Sequence, residues 1–396
     1  MIDKPLLAAV VALLTLSLVM DYSLSLYAGL HFGYGSDWHF FLRQSIAVGA
    51  GLILIVVLSR LDPDKWFLKI GWTIFIGSFL LMIAMQGLPS SMVRAVGGAK
   101  RWIHLGPMAI APVEFFKVGF VFFLAWSFSR KFGKKPTCQM SYIQEIRSYL
   151  PYLFVFGFAV FLIAIFQKDL GQVLVLGATL MTLFLLVGSS KRFFLTLLGL
   201  AVAAVIALIK VAPHRMARIK SWWLNVQDAV LGVLPFDWVQ QFRIKGAEHP
   251  YQVTNSLHAI HNGGMLGQGL GNGQFKLGYL SEVHTDFILA GIAEELGFIG
   301  LAAVTLTILF VIFRILVIAS KVERPSYYLF GVGAASLIGY AFLLNAYGIS
   351  GMTPVKGIAV PFVSYGGSHI LASCIAVGMV LMISKKVPRD IYGRIL

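Results

Sequence analysis

Apolar stretches long enough to span hydrocarbon, about 17–25 residues each, recur from one end of the chain to the other and are separated by short polar or charged segments. They predict helices over 5–27, 40–60, 66–86, 113–129, 149–167, 170–188, 193–212, 286–319, 327–349 and 369–385. The first stretch, Leu6 to Leu26, is too long for the apolar core of a cleavable signal, and no small-residue cleavage site follows it, so it is read as helix one. No polar segment is long enough to fold separately. The pattern predicts an all-α polytopic membrane protein, a single domain over 1–396 with about ten transmembrane helices. One large extracytoplasmic loop, 213–285, falls between helices 7 and 8.

Composition supports this reading, because 58% of the 396 residues are hydrophobic and 12% charged, a balance foreign to soluble domains. The net charge of +15 does not point to nucleic acid, since the basic residues are scattered through short loops. With the N-terminus inside, Arg60/Lys65, Arg130/Lys131/Lys134/Lys135, Lys191/Arg192, Lys321/Arg324 and Lys385/Lys386/Arg389/Arg394 all fall in the cytoplasm. That is the positive-inside pattern, and it places both termini there. Cys138 and Cys374 are far apart in any such topology, so neither a disulfide nor a metal site is expected of them.

The opposite face receives 86–112, 213–285 and 351–368, which hold most of the non-helical polar sequence. Between His214 and Val239, Arg215, Arg218 and Lys220 interleave with Trp222, Trp223, Phe236 and Trp238, which suits a segment in the headgroup layer; a solvated loop with an aromatic anchor is the alternative. The run from Gly263 to Gly273 lacks both phosphate-loop patterns and follows no strand, so its glycines are read as serving tight turns or close packing.

Ionisable groups inside hydrocarbon are costly unless paired or wet. Asp21 is explained by snorkelling or a local hydrogen bond. Glu114 and Lys117, three apart, share a helix face and can pair, for structure or for binding. Asp169 stands where it can cap helix six. Arg94, Lys100 and Arg101 run against the charge rule and point to an anionic ligand. Asp286 lies at the outer start of a helix, where the dipole is expected to lower its pKa, or where it or Thr285 simply caps. On that helix Glu294 is about 80° around from Asp286 and Glu295 is on the opposite face, so only Glu294 can share a cavity with it.

Three groups of segments carry a resemblance. The first is Gly98-Ala99-Lys100-Arg101-Trp102-Ile103 followed by Pro112-Val113-Glu114-Phe115-Phe116-Lys117. The second runs from Tyr251-Gln252-Val253-Thr254-Asn255-Ser256-Leu257 through the glycine run to Glu282-Val283-His284-Thr285-Asp286-Phe287 and Ala293-Glu294-Glu295-Leu296-Gly297. The third is Pro354-Val355-Lys356-Gly357 with Pro361-Phe362-Val363-Ser364-Tyr365-Gly366-Gly367-Ser368. In order and spacing, over nearly the whole chain, they resemble the SEDS proteins, the FtsW and RodA group that polymerises bacterial cell-wall glycan. Lys356 within its motif, and the spacing from the glycine run to Lys276-Leu277, look more like the division branch, FtsW, than the elongation branch, RodA. Lys168 stands in place of a usual proline, Gln172 of a threonine and His261 of a glycine, so local loop geometry is expected to differ there.

The resemblance implies lipid II as substrate, with its glycan transferred from an undecaprenyl pyrophosphate to a hydroxyl of an acceptor sugar, with inversion. Such a displacement needs a base for the hydroxyl and positive charge for the departing pyrophosphate. Asp286 matches the family's essential aspartate and is assigned as general base. Arg101, Lys117 and Lys356 are assigned to the pyrophosphate, Glu114 to holding Lys117, and Glu294 and His284 to orienting the acceptor. A divalent cation, Mg or Mn, bridging Asp286 and pyrophosphate is chemically reasonable, with its ligands unknown. A class B penicillin-binding protein is the implied transpeptidase partner, alongside other division proteins and membrane lipids. The implied location is the bacterial inner membrane at the division septum, with the active face outside. Ser364 is not in an SxxK arrangement and is not read as a nucleophile. Competing readings are an elongation polymerase, a lipid II flippase or transporter, and a non-enzymatic division scaffold.

Overall fold

The computed structural model of the chain describes residues 2–31, 38–93, 99–105, 108–132, 141–210, 213–233, 241, 243–244 and 251–388. Its helices are α1 (Lys4–His31), α2 (His39–Arg60), α3 (Pro63–Ala84), α4 (Pro112–Phe132), α5 (Tyr142–Phe161), α6 (Leu170–Leu186), α7 (Lys191–Lys210), α8 (Pro213–Val233), α9 (Tyr251–Gly263), α10 (Ile288–Ser320), α11 (Pro325–Ile349) and α12 (Gly367–Ile383). A short antiparallel hairpin, β1 (Ile103–Leu105) and β2 (Met108–Ile110), precedes α4.

Among the described residues, nine helices are long and apolar enough to cross a membrane, and α6 is apolar but only 17 residues long. Together these ten coincide with the ten stretches expected from the sequence. α5 starts earlier than its apolar run, because Ser141 and Gln144 form a reciprocal capping box ahead of it. Two helices, α8 and α9, lie within 213–285, where the pattern of apolar residues gives no span.

α4, α11 and α12 form the buried centre, whereas on α7 only Phe193 is buried. α3 meets α4 backbone to backbone: a Cβ at Gly119 would lie 2.5 Å from the Phe75 Cα. Around that crossing the rings of Phe75, Phe116 and Phe123 stack, with Phe75 and Phe123 4.7 Å apart. Asp21, expected to snorkel or to find a local donor, does neither: it is fully buried on α1, and its carboxylate oxygens have no hydrogen-bond partner among the described residues.

α10 is broken at Gly297, whose φ of 69° and ψ of −171° leave the helical region. The break frees backbone groups that hydrocarbon cannot satisfy. The segment after α9 satisfies them: the amides of Gln268 and Gly269 donate to the carbonyls of Glu294 and Glu295 at 2.9 and 3.0 Å, while the amides of Phe298 and Ile299 donate to Gly264 and Met265 at 2.9 and 3.2 Å. Only glycine permits this approach. A Cβ at Gly267 would lie 2.2 Å from the Glu295 carbonyl oxygen, and one at Gly297 would lie 2.4 Å from the Gly267 nitrogen.

Gly267→Ala and Gly297→Ala are each expected to cost roughly 2–4 kcal/mol, seen as a lower thermal unfolding midpoint in detergent. Gly199→Ala is the control, since nothing lies within 4 Å of its added methyl; equal midpoints for all three variants would refute the lacing.

Candidate active site

A cavity of about 380 Å³ opens between the strand-side segment at 99–102, the start of α6, the α7–α8 corner and the segment linking α11 to α12. Five cations line it: Arg101, Lys168, Arg215, Arg218 and Lys356. The backbone fixes the first. Arg101 donates from Nε to the Gln167 carbonyl at 2.9 Å and from Nη2 to the Lys168 carbonyl at 3.1 Å, and its Nη1 stands 3.9 Å from Asp169 Oδ2. Lys168 holds a left-handed φ of 51°. Proline, the residue this position is compared with, is locked near −65° and cannot adopt that turn. Arg215 is buried and donates to the Leu208 carbonyl at 2.8 Å and to the Ala164 carbonyl in the π-helical end of α5. Lys356 lies near Arg215 and Arg218, and burial, then these two guanidinium groups, hold its amine below the ordinary lysine value.

Asp286 adjoins this wall. Its carboxylate rests against Gly357, the residue after Lys356, where an added Cβ would lie 3.1 Å from Oδ2. Three consecutive carbonyls hold the segment. That of His284 accepts from the Tyr365 amide at 2.9 Å, that of Thr285 from the Ser364 hydroxyl at 2.7 Å, and that of Asp286 from Asn345 Nδ2 at 2.7 Å. Ser364 is thus a buried tether between loops.

The expectation that a helix dipole lowers the Asp286 pKa is corrected. α10 begins at Ile288 with Phe287 as its cap and no side-chain capping bond, so the carboxylate is not seated on free helix amides. Burial, then the negative charges of Glu282 and Asp169, push it up to about 7, against the opposing pull of Arg101 and Arg218. Asp169 does cap α6, its Oδ1 accepting from the Gln172 amide at 3.2 Å. Its own pKa is raised by burial, which outweighs Arg101.

Glu114 and Lys117 pair at 2.8 Å, both buried. Gln172 closes the pair, accepting from Lys117 Nζ at 2.6 Å and donating to Glu114 Oε1 at 2.8 Å, while His369 Nδ1 lies 2.9 Å from Glu114 Oε2. Lys117 is bonded to Glu114 and Gln172 and is not among the residues that line the cation-rich cavity. Glu294 is fully buried and accepts from Asn262 Nδ2 at 3.0 Å and from the Gln274 amide at 2.7 Å, stapling the glycine-rich segment. Glu295, on the other side, pairs with Lys276 at 2.6 Å.

The His284 ring packs against Phe40 and Tyr365, with centroids 4.7 and 5.4 Å away. Burial holds its pKa down despite Glu282, and its Nδ1 has no partner among the described residues. Among those residues no three His, Cys, Asp or Glu side chains are grouped so as to hold a metal.

Arg94, Phe236 and Trp238 lie outside the described residues. Trp222 is bonded to the protein, its indole N–H reaching the Gly351 carbonyl at 2.9 Å. Sequence reasoning missed Arg215 and Arg218 as cavity cations. The available hint was their position directly after a membrane helix on the face that the charge rule disfavours.

The family model described as cell cycle protein, covering FtsW, RodA and SpoVE, matches residues 4–388. The chain is 44% identical over 383 residues to a Helicobacter pylori protein named Probable peptidoglycan glycosyltransferase FtsW, covering 97% of this chain and 98% of that one. A Coxiella burnetii protein of the same name is 32% identical, covering 96% of each. In fold it is similar to a chain of a solved peptidoglycan synthase complex (TM-score 0.70, 23% identity, 97% of this chain and 98% of that one). It is also similar to the rod shape determining protein RodA of Thermus thermophilus (TM-score 0.63, 24% identity, 98% of each). With the match running through ten apolar helices and the segment carrying Asp286, the chain belongs to the FtsW, RodA and SpoVE family of cell cycle proteins.

Proposed function

We propose that this chain is a peptidoglycan glycosyltransferase of the division type, polymerising lipid II into glycan strands at the septum. The observation that carries the reading is a carboxylate with its pKa near neutrality, standing beside a cavity lined by five cations. An acceptor hydroxyl attacks the anomeric carbon of the donor as the bond from that carbon to the pyrophosphate oxygen breaks. The electron pair leaves with the undecaprenyl pyrophosphate, and the hydroxyl proton passes to Asp286. A base poised near the working pH suits this step better than an ordinary aspartate would. Lys356, Arg215, Arg218 and Arg101 face the cavity where they can offset the leaving group's charge. Glu114 holds Lys117 behind that wall. His284, whose Nδ1 has no partner among the described residues, orients the acceptor.

The helices insert with both termini in the cytoplasm and the cavity outside, as the loop cations favour. A class B penicillin-binding protein supplies transpeptidation, a pairing supported by the fold likeness to a chain of a complex that couples polymerization and crosslinking. Other division proteins are the remaining partners.

Three outcomes test the reading. Purified with that partner and given lipid II in detergent, wild type makes glycan strands resolvable on gels, and Asp286→Ala loses at least about 100-fold in rate. Equal polymer from both would remove Asp286 from its role, and lipid II crossing vesicles without any polymer would favour a flippase. The rate should rise with pH and level off above about 7. Because Arg218 lowers the Asp286 pKa, Arg218→Gln moves that limb to higher pH, and an unshifted profile counts against Asp286 as base. Finally, a carboxyl raised in the folded state loses stability as pH climbs from its unfolded value, about 4, through 7. Asp286→Asn should therefore raise the unfolding midpoint more at pH 8 than at pH 5, and a pH-independent difference would contradict the raised pKa.

A further inference from the structure

His369 is a buried polar side chain that the reaction leaves unused. It sits in the first turn of α12, 8% exposed, and its Nδ1 meets Glu114 Oε2 at 2.9 Å. Its other ring nitrogen, Nε2, is buried and has no partner among the described residues. Beside it is a small cavity of about 30 Å³, lined by His369, Ser373, Lys117, Glu114 and apolar residues of α11 and α12. Ser373 is one turn along from His369 and lines the same space. A void above about 10–15 Å³ with polar groups in its wall has room for a water.

The Glu114 carboxylate, paired with Lys117, only accepts, so His369 donates to it from Nδ1–H, and in the neutral ring Nε2 is left as an acceptor that needs a donor. The Glu114 carboxylate it holds is bound through Oε1 to Gln172, whose amide N–H is capped by Asp169, the neighbour of Arg101.

We propose that His369 is a positioning residue of the glycosyl-transfer site: with a water held between its Nε2 and the Ser373 hydroxyl, it fixes Glu114, and through Glu114 and Gln172 it sets Lys117 and the turn that carries Asp169 and holds Arg101. The inference rests on the glycosyltransferase reading for its kinetic consequence, while its geometry stands apart from it.

Two measurements test it on the full chain. In the first, the protein is labelled with nitrogen-15 histidine in nanodiscs, and the His369→Asn spectrum is subtracted to isolate His369. A neutral Nδ1–H ring with a hydrogen-bonded Nε2 is expected; an imidazolium, an Nε2–H tautomer or an unbonded Nε2 overturns the proposal. In the second, lipid II turnover is followed in the complex with the transpeptidase. His369→Leu should lower kcat about tenfold or more while KM changes less than about twofold, and His369→Asn, whose amide N–H occupies the Nδ1 position, should recover about a third of the wild-type rate. Equal loss in both variants, or wild-type rates in both, overturns the positioning role. Absence of polymer from wild type would instead refute the glycosyltransferase reading, and the ring spectrum would then decide the buried geometry alone.

Discussion

Within hydrocarbon every peptide N–H and C=O must find its partner inside the protein, and that constraint decides how the region around Asp286 is built. A continuous α10 would meet it alone. The break at Gly297 cannot, so the carbonyls of Glu294 and Glu295 are returned to amides of the glycine-rich segment, and two amides beyond the break are returned to its carbonyls. The side chains of the same two glutamates extend the lacing. Glu294 binds the loop amides at Gln274 and Phe275, and Glu295 binds Lys276 and Ser23 of α1. The segment leading into Asp286 is thereby anchored at both ends: by the glycine lacing behind it, and by the carbonyl tethers to Tyr365, Ser364 and Asn345 beside it.

Rigidity of that kind is useful because the electrostatics are finely opposed. The same Arg101 and Arg218 that line the cavity for an anion also pull the Asp286 pKa down, and Glu282 and Asp169 pull it up. Burial settles the sum near neutrality. An anion bound among these cations adds negative charge to the balance and raises the carboxyl further. Small displacements of Arg101 or Asp169 would disturb this coupling, which explains why both are tied to the turn at 167–169 and not left as free surface charges.

The ten helices were legible in the sequence because each is a local apolar stretch, and length alone specifies it. The Glu114–Lys117 pair and the Asp169 cap were legible for the same reason, being spacings of three residues within one element. What escaped was relational. Gln172 reads as an ordinary substitution until α4, α6 and α12 bring it against Glu114 and Lys117, and Arg215 reads as interfacial until its guanidinium is found buried on the end of α5. The Asp286 pKa was misjudged in direction because the argument used the helix start alone. Its height depends on burial, on Glu282 four residues earlier in the same segment and on Asp169 from the turn before α6, none of which the helix-start argument weighed.

The cavity's remaining walls bear on how a membrane-borne donor would use it. Ile209 at the end of α7, Ile219 on α8, Leu170 on α6 and Val355 stand among the cations, so one space offers both charge for a pyrophosphate and apolar surface for the first units of a lipid tail. α7 itself turns nearly all of its apolar residues outward, which in a bilayer means toward acyl chains. A donor arriving from the membrane can thus keep its tail in contact with apolar surface while its headgroup reaches the cations. Polar wall alone would require drawing the tail into water, at a cost of about 25 cal/mol for each Å² exposed. The membrane crossings therefore serve as more than an anchor, since the ends of α6 and α7 form part of the cavity's wall.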